Sequence, residues 1–205
     1  MDPLCEKTPD FSPYNYCNDN PVKNIDPDGK EVLNKFDLNR KQEKKATDIF
    51  INKVNDLHNS IIVFAHGAGN GNGITIYDGD KGQTITSAYD FENFLNNNSE
   101  TWKNRFITGD EITIVLFSCE TGDEGKFAQT LSSDKSFQDI KIIAPSDMIT
   151  IYEDGTSSVD NNNTWTEYIN GKKNNNYNGS LVPGTKDFET LSYWERMQKF
   201  DNYFK

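Results

Sequence analysis

The chain has 205 residues, with 32 acidic against 21 basic and a net charge of −11. That length suits one α/β domain with a real core and a small appendage, and a hydrophobic content of 34% predicts a compact core with long loops. The densest cationic run is Arg40-Lys41-Gln42-Glu43-Lys44-Lys45, too short a stripe for nucleic acid to be the main partner, because phosphate binding needs clustered cations.

Residues 1 to 30 are rich in Pro, Asn, Asp and aromatics, which forbids a long helix or a central strand. Asp26-Pro27-Asp28-Gly29 is a tight-turn signal. Met1 to Glu6 lacks a basic region followed by an apolar core, so no signal peptide is expected. Residues 31 to 58 have helical spacing, with Leu33, Phe36, Ile49, Phe50, Val54 and Leu57 on the apolar face and 46 to 57 as the best helix. His58 reads as a surface residue. Residues 61 to 66 form a first buried strand, and Gly67 to Gly73 a flexible loop that reads as a mobile lid. Ile74 to Tyr77 and Gln83 to Ile85 predict a hairpin, and Ser87 to Leu95 a short helix. Residues 112 to 118 form the second buried strand, Glu120 to Gly125 a turn, and Lys126 to Leu131 the start of a helix.

Ile140 to Pro145 is a third strand, and Met148 to Tyr152 a fourth. Residues 155 to 180 read as a surface loop holding a short strand at Trp165 to Tyr168. Phe188 to Phe204 reads as a helix packed on the sheet. Alternation of strand and helix predicts an α/β fold with a mostly parallel sheet flanked by helices and a short irregular N-terminal segment. With no apolar run of 18 residues, no membrane span or membrane partner is expected. The three cysteines, Cys5, Cys17 and Cys119, are too few and odd in number for a disulfide scaffold, so a reduced cytoplasmic state is expected.

The N-terminal string resembles the C-terminal end of the Rhs-repeat core domain. The matching residues are Asp2-Pro3-Leu4, Ser12-Pro13-Tyr14-Asn15-Tyr16, Asn20-Pro21 and Ile25-Asp26-Pro27-Asp28-Gly29. The resemblance covers residues 1 to 32 and leaves 33 to 205 as a second domain. It implies a polymorphic-toxin cassette, a variable effector following the Asp-Pro-x-Gly motif, export as part of an Rhs effector and a cognate immunity protein. The chain departs from that family at Lys30, where Leu is usual.

Two buried strands end in reactive side chains. Phe64-Ala65-His66-Gly67 carries a histidine and Leu116-Phe117-Ser118-Cys119 a cysteine. Sites in parallel sheets form at the carboxyl ends of the strands, where a thiol and an imidazole make a nucleophile with its base. Each residue also has a plain structural reading, Cys119 as a small buried hydrophobe and His66 as the cap of a strand. A serine-hydrolase elbow is excluded, since Ser118 lacks both flanking glycines. No cofactor is expected: two histidines are too few for a zinc site, and the Gly/Asn loop runs into Ile74 where a phosphate loop needs Gly-Lys-Ser/Thr.

The pair of motifs resembles the caspase-like (clan CD) cysteine peptidases, which place His-Gly after one buried strand and the Cys after a neighbouring strand. The resemblance spans residues 58 to 152. It implies a caspase-like sheet, a protein or peptide substrate, Cys119 as nucleophile and His66 as general base or acid. The backbone N–H groups of Gly67 and Cys119 would form the oxyanion hole. Glu120 and Asp123, which follow the Cys, and Asp147 would line a substrate pocket for a basic side chain. Two other readings stay open, a non-catalytic binding domain and a toxin of another enzyme class that uses the Gly/Asn loop.

Overall fold

The computed structural model describes residues 31–37, 47–48, 59–108, 111–152, 156–181 and 183. The Rhs-like segment 1 to 30, Cys5, Cys17, His58, most of the helix expected at 46 to 57 and the one at 188 to 204 lie outside the described residues.

The chain enters through β1 (Glu31–Asn34) and β2 (Ser60–Phe64). Just past β2 come three short antiparallel strands, β3 (His66–Ala68), β4 (Gly73–Asp78) and β5 (Lys81–Ile85). Two helices follow, α1 (Ala88–Asn98) and α2 (Glu100–Thr108), and then β6 (Thr113–Phe117). After α3 (Phe127–Ser132) and β7 (Lys141–Pro145), β8 (Ile149–Ile151) and β9 (Ser157–Val159) form a two-stranded ribbon. The hairpin of β10 (Thr164–Ile169) and β11 (Lys172–Asn178) closes the described fold.

The main sheet has the order β1-β2-β6-β7-β10-β11. The first four strands are parallel, and β10 runs antiparallel to β7 and β11. Ile61 to Phe64 and Ile114 to Phe117 are buried on both faces, as central parallel strands require. One face packs Ile61, Val63, Ile114 and Leu116 against Phe91 and Leu95 of α1, Trp102 of α2 and Phe127 of α3. The other face carries Ile62, Phe64, Val115, Phe117 and Trp165. Among the described residues no helix is long and apolar enough to cross a membrane.

Two sequence expectations are corrected. Residues 31 to 34 are not part of a helical stretch but the edge strand β1, which pairs in parallel with β2. Leu33 has the spacing of either structure, and only the partner strand selects between them. The segment 155 to 180 is not a surface loop: it supplies β9 and both strands of the antiparallel hairpin. Trp165 and Tyr168 are fully buried, so burial of two large aromatics outweighs a polar composition.

β1 is locked to α2 by a buried carboxylate. Glu31 accepts hydrogen bonds from the Ser99 hydroxyl and from the backbone N–H groups of Glu100 and Thr101, and Ser99 Oγ caps Trp102 N–H at 2.9 Å. The first orphan donors of the helix are thereby satisfied. Burial pushes the Glu31 carboxyl above its ordinary value, against these hydrogen bonds, which pull it down. Glu31→Ala is expected to destabilise the fold by about 2–3 kcal/mol, because three donors lose their acceptor. A group whose folded pKa is raised contributes fully below its unfolded value, and that contribution drains away as the pH climbs through the folded pKa. Urea midpoints should therefore show a larger loss at acid pH than at neutral pH, and an equal or smaller acid loss would refute this account.

Candidate functional site

The site begins as a register relation. Phe64 pairs with Phe117 across β2 and β6, and the two rings stack with centroids 4.6 Å apart. The ladder continues one residue further through Ala65 N–H to Phe117 O at 3.3 Å. His66 and Cys119 each stand two residues beyond that pair, so side-chain alternation sends both to the same face. Their contacts agree. The His66 ring lies 4.9 Å from Phe36 and 6.2 Å, edge on, from Tyr77. The Ile149 N–H acts on the Cys119 thiol. Phe36 and Ile149 both pack on the second core face.

Backbone contact joins the two tips. A Cβ on Gly67 would stand 2.2 Å from the Cys119 carbonyl oxygen, and one on Gly71 2.2 Å from that of Glu120. Only glycine lets the 67–73 segment sit this closely on 119–120. The expectation of a mobile lid is thus corrected. Gly67 and Ala68 belong to β3, Gly71 is buried, and its carbonyl accepts from Phe127 N–H at 2.9 Å. These contacts make the segment a packed turn that presses β3 onto the cysteine.

Cys119 is a half-buried free thiol. Burial pushes its pKa up, and the charges of Glu120 and Asp160 push the same way. The N–H groups of Ile149 and of Cys119 itself pull it the other way. The resting group is therefore a thiol that needs a proton acceptor before it can attack.

The three acids expected to line a pocket separate. Glu120 follows the cysteine in a left-handed conformation, φ 62°, with its charge acting on the thiol. Asp123 lies on an exposed turn, where its carboxylate accepts from Glu124 N–H at 2.8 Å. Its charge bears on Tyr168, whose phenol is pushed up to about 12, chiefly by burial. Asp147 is engaged by Asn161 and Asn163 at 2.9 and 2.7 Å. Sequence reading missed Asp160 and the Ile149 N–H. Both reach the thiol through the β8–β9 ribbon, and no local motif marks them. Among the described residues no group of three or more His, Cys, Asp or Glu side chains stands together to hold a metal.

A family model described as a domain of unknown function, DUF8616, matches residues 34–159, more than half of the chain. The chain belongs to the DUF8616 family. The matched span of the DUF8616 domain contains His66, Gly67, Cys119 and Asp147, while β10 and β11 lie beyond it. No curated protein and no solved structure matches the chain.

Proposed function

We propose that the chain is a cysteine peptidase with a caspase-like sheet, serving as the effector of an Rhs-associated toxin cassette. The observation that carries this reading is the position of His66 and Cys119, each two residues past the paired Phe64 and Phe117 at the ends of two neighbouring parallel strands. The His-Gly and Ser-Cys motifs resemble those of caspase-like peptidases in kind and chain order, and Gly67 lies against the Cys119 backbone. The Rhs-like string at residues 1 to 32 supplies the toxin setting. The substrate is a protein or peptide, in a target cell or in the toxin's own carrier, and an immunity protein is the natural antagonist.

In this reading the Cys119 sulfur attacks the scissile carbonyl carbon as His66 takes the thiol proton. The carbonyl oxygen becomes an oxyanion beside the N–H groups of Gly67 and Cys119. The C–N bond then breaks, His66 returns the proton to the leaving amine, and a thioester remains. Water, deprotonated by His66, cleaves the thioester, and the sulfur recovers its proton.

Cys119→Ala should abolish toxicity and processing while leaving the thermal midpoint near that of the wild type. Equal toxicity from the folded variant would sink the peptidase reading. The raised thiol pKa favours a second reading, a non-catalytic binding domain on the same scaffold. That reading requires Cys119→Ala to keep its biological effect and the Cys119 thiol to alkylate no faster than Cys5 or Cys17.

A further inference from the structure

Asp147 has no part in the steps above, yet it is tied to the nucleophile from two directions. Its backbone carbonyl accepts from the N–H of Glu120, the residue after the cysteine, at 2.9 Å. Two residues on, the Ile149 N–H acts on the Cys119 thiol and pulls its pKa down. Between these links the Asp147 carboxylate is saturated with donors. One oxygen accepts from Met148 N–H at 2.7 Å. The other accepts from Asn161 Nδ2 at 2.9 Å and from Asn163 Nδ2 at 2.7 Å. A backbone bond runs beside them, from Asp160 N–H to the Met148 carbonyl at 2.9 Å. The turn after β7 is therefore stitched to the 160–163 loop on one side and to the cysteine turn on the other.

We propose that Asp147 is a positioning residue for the Cys119 nucleophile: its carboxylate holds the 147–149 turn, whose Asp147 carbonyl takes the Glu120 N–H, against the turn that carries the cysteine. The inference rests on the reading of Cys119 as nucleophile. The Ile149 N–H sits on the 147–149 turn, and an N–H dipole beside sulfur favours thiolate over thiol; here it opposes burial and the negative charges of Glu120 and Asp160. Its value depends on being held in place, since a turn free to rotate would turn the donor toward solvent. The clamp needs a carboxylate. An amide has one acceptor oxygen, so its NH2 group must face either the Met148 N–H or the Asn161 and Asn163 donors, and donor facing donor breaks that contact. The same donors keep the Asp147 carboxyl below the ordinary carboxylate range, so it stays ionised wherever the thiol titrates.

The test is the rate of iodoacetamide alkylation against pH, on the full chain with Cys5 and Cys17 replaced by Ser. Asp147→Asn should move the midpoint of the Cys119 profile upward and slow alkylation at neutral pH by about three- to tenfold, the change in thiolate that half to one pKa unit produces. The alkaline plateau should not change. Asp147→Glu, which keeps the carboxylate, should recover part of the shift. Asn163→Ala should reproduce it in smaller measure, and serves if Asp147→Asn fails to fold. A folded Asp147→Asn whose profile overlays the wild type overturns the proposal, and so does a lowered plateau with an unmoved midpoint. Alkylation requires no peptide substrate. Failure of the peptidase reading, seen as full activity in Cys119→Ala, is thus distinguishable from failure of the clamp.

Discussion

On the peptidase reading, His66→Ala is expected to lower kcat/KM by about 10²- to 10⁴-fold, the usual contribution of a positioned general base. The thiol is the reason to expect the upper part of that range. Burial, Glu120 and Asp160 all disfavour its ionisation, so little thiolate exists at neutral pH without an acceptor. The fold should tolerate the change. The ring is half-buried against Phe36 and Tyr77, and its loss should destabilise by about 1 kcal/mol, an average substitution. His66→Gln keeps a polar group of similar reach but cannot shuttle a proton, and should be as inactive as the alanine variant. If Cys119→Ala is inactive while His66→Ala works within about threefold of wild type, a spread too small for a lost base, another group takes the proton.

Gly67→Ala is the second large effect, and it arises from space alone. The φ of Gly67 is not among the left-handed ones, so alanine could adopt the backbone there. Its methyl would stand 2.2 Å from the Cys119 carbonyl oxygen and 3.0 Å from the carbonyl carbon. Backbone atoms cannot rotate away as a side-chain end would, so the β2 and β6 tips must separate. The expected results are a loss of about 1–3 kcal/mol from overpacking and a fall of about 10²-fold in kcat/KM from a displacement near 1 Å at the reacting groups. Thermal melts and turnover of the same preparation measure both. A variant that keeps wild-type turnover would show that the contact between Gly67 and Cys119 has no part in assembling the site.

How much of this was legible beforehand follows from where the information lies. Ile61 to Phe64, Ile114 to Phe117 and Ile142 to Ala144 announce central strands, because unbroken apolar runs have no other stable home in a chain this polar. The helix at α1 announces itself through the Ser87 cap and the spacing of Phe91, Phe94 and Leu95. Residues 31 to 34 and 164 to 178 do not. Val32 and Leu33 become a strand because β2 offers them a ladder. Asn174 to Asn178 become one because Tyr177 buries its ring and donates to Glu167 Oε2 at 2.7 Å. The polar string around them carries no periodicity to betray it.

The same division runs through the site. The sequence by itself determined which groups are available: one histidine and one cysteine, each just past an apolar strand, and a glycine after the histidine. Those are properties of neighbours along the chain, and burial patterns expose them. Only the tertiary structure decided that β2 and β6 are adjacent, parallel and in a register that leaves His66 and Cys119 each two residues past the paired Phe64 and Phe117. It alone separated Glu120 and Asp160, whose charges reach the thiol, from Asp147, which is spent on two asparagines. The physical reason is range. Strand character and chain order are local, whereas a proton acceptor, an N–H dipole or a charge acts through a few ångströms of space, and residues 40 positions apart enter that space only when the sheet assembles.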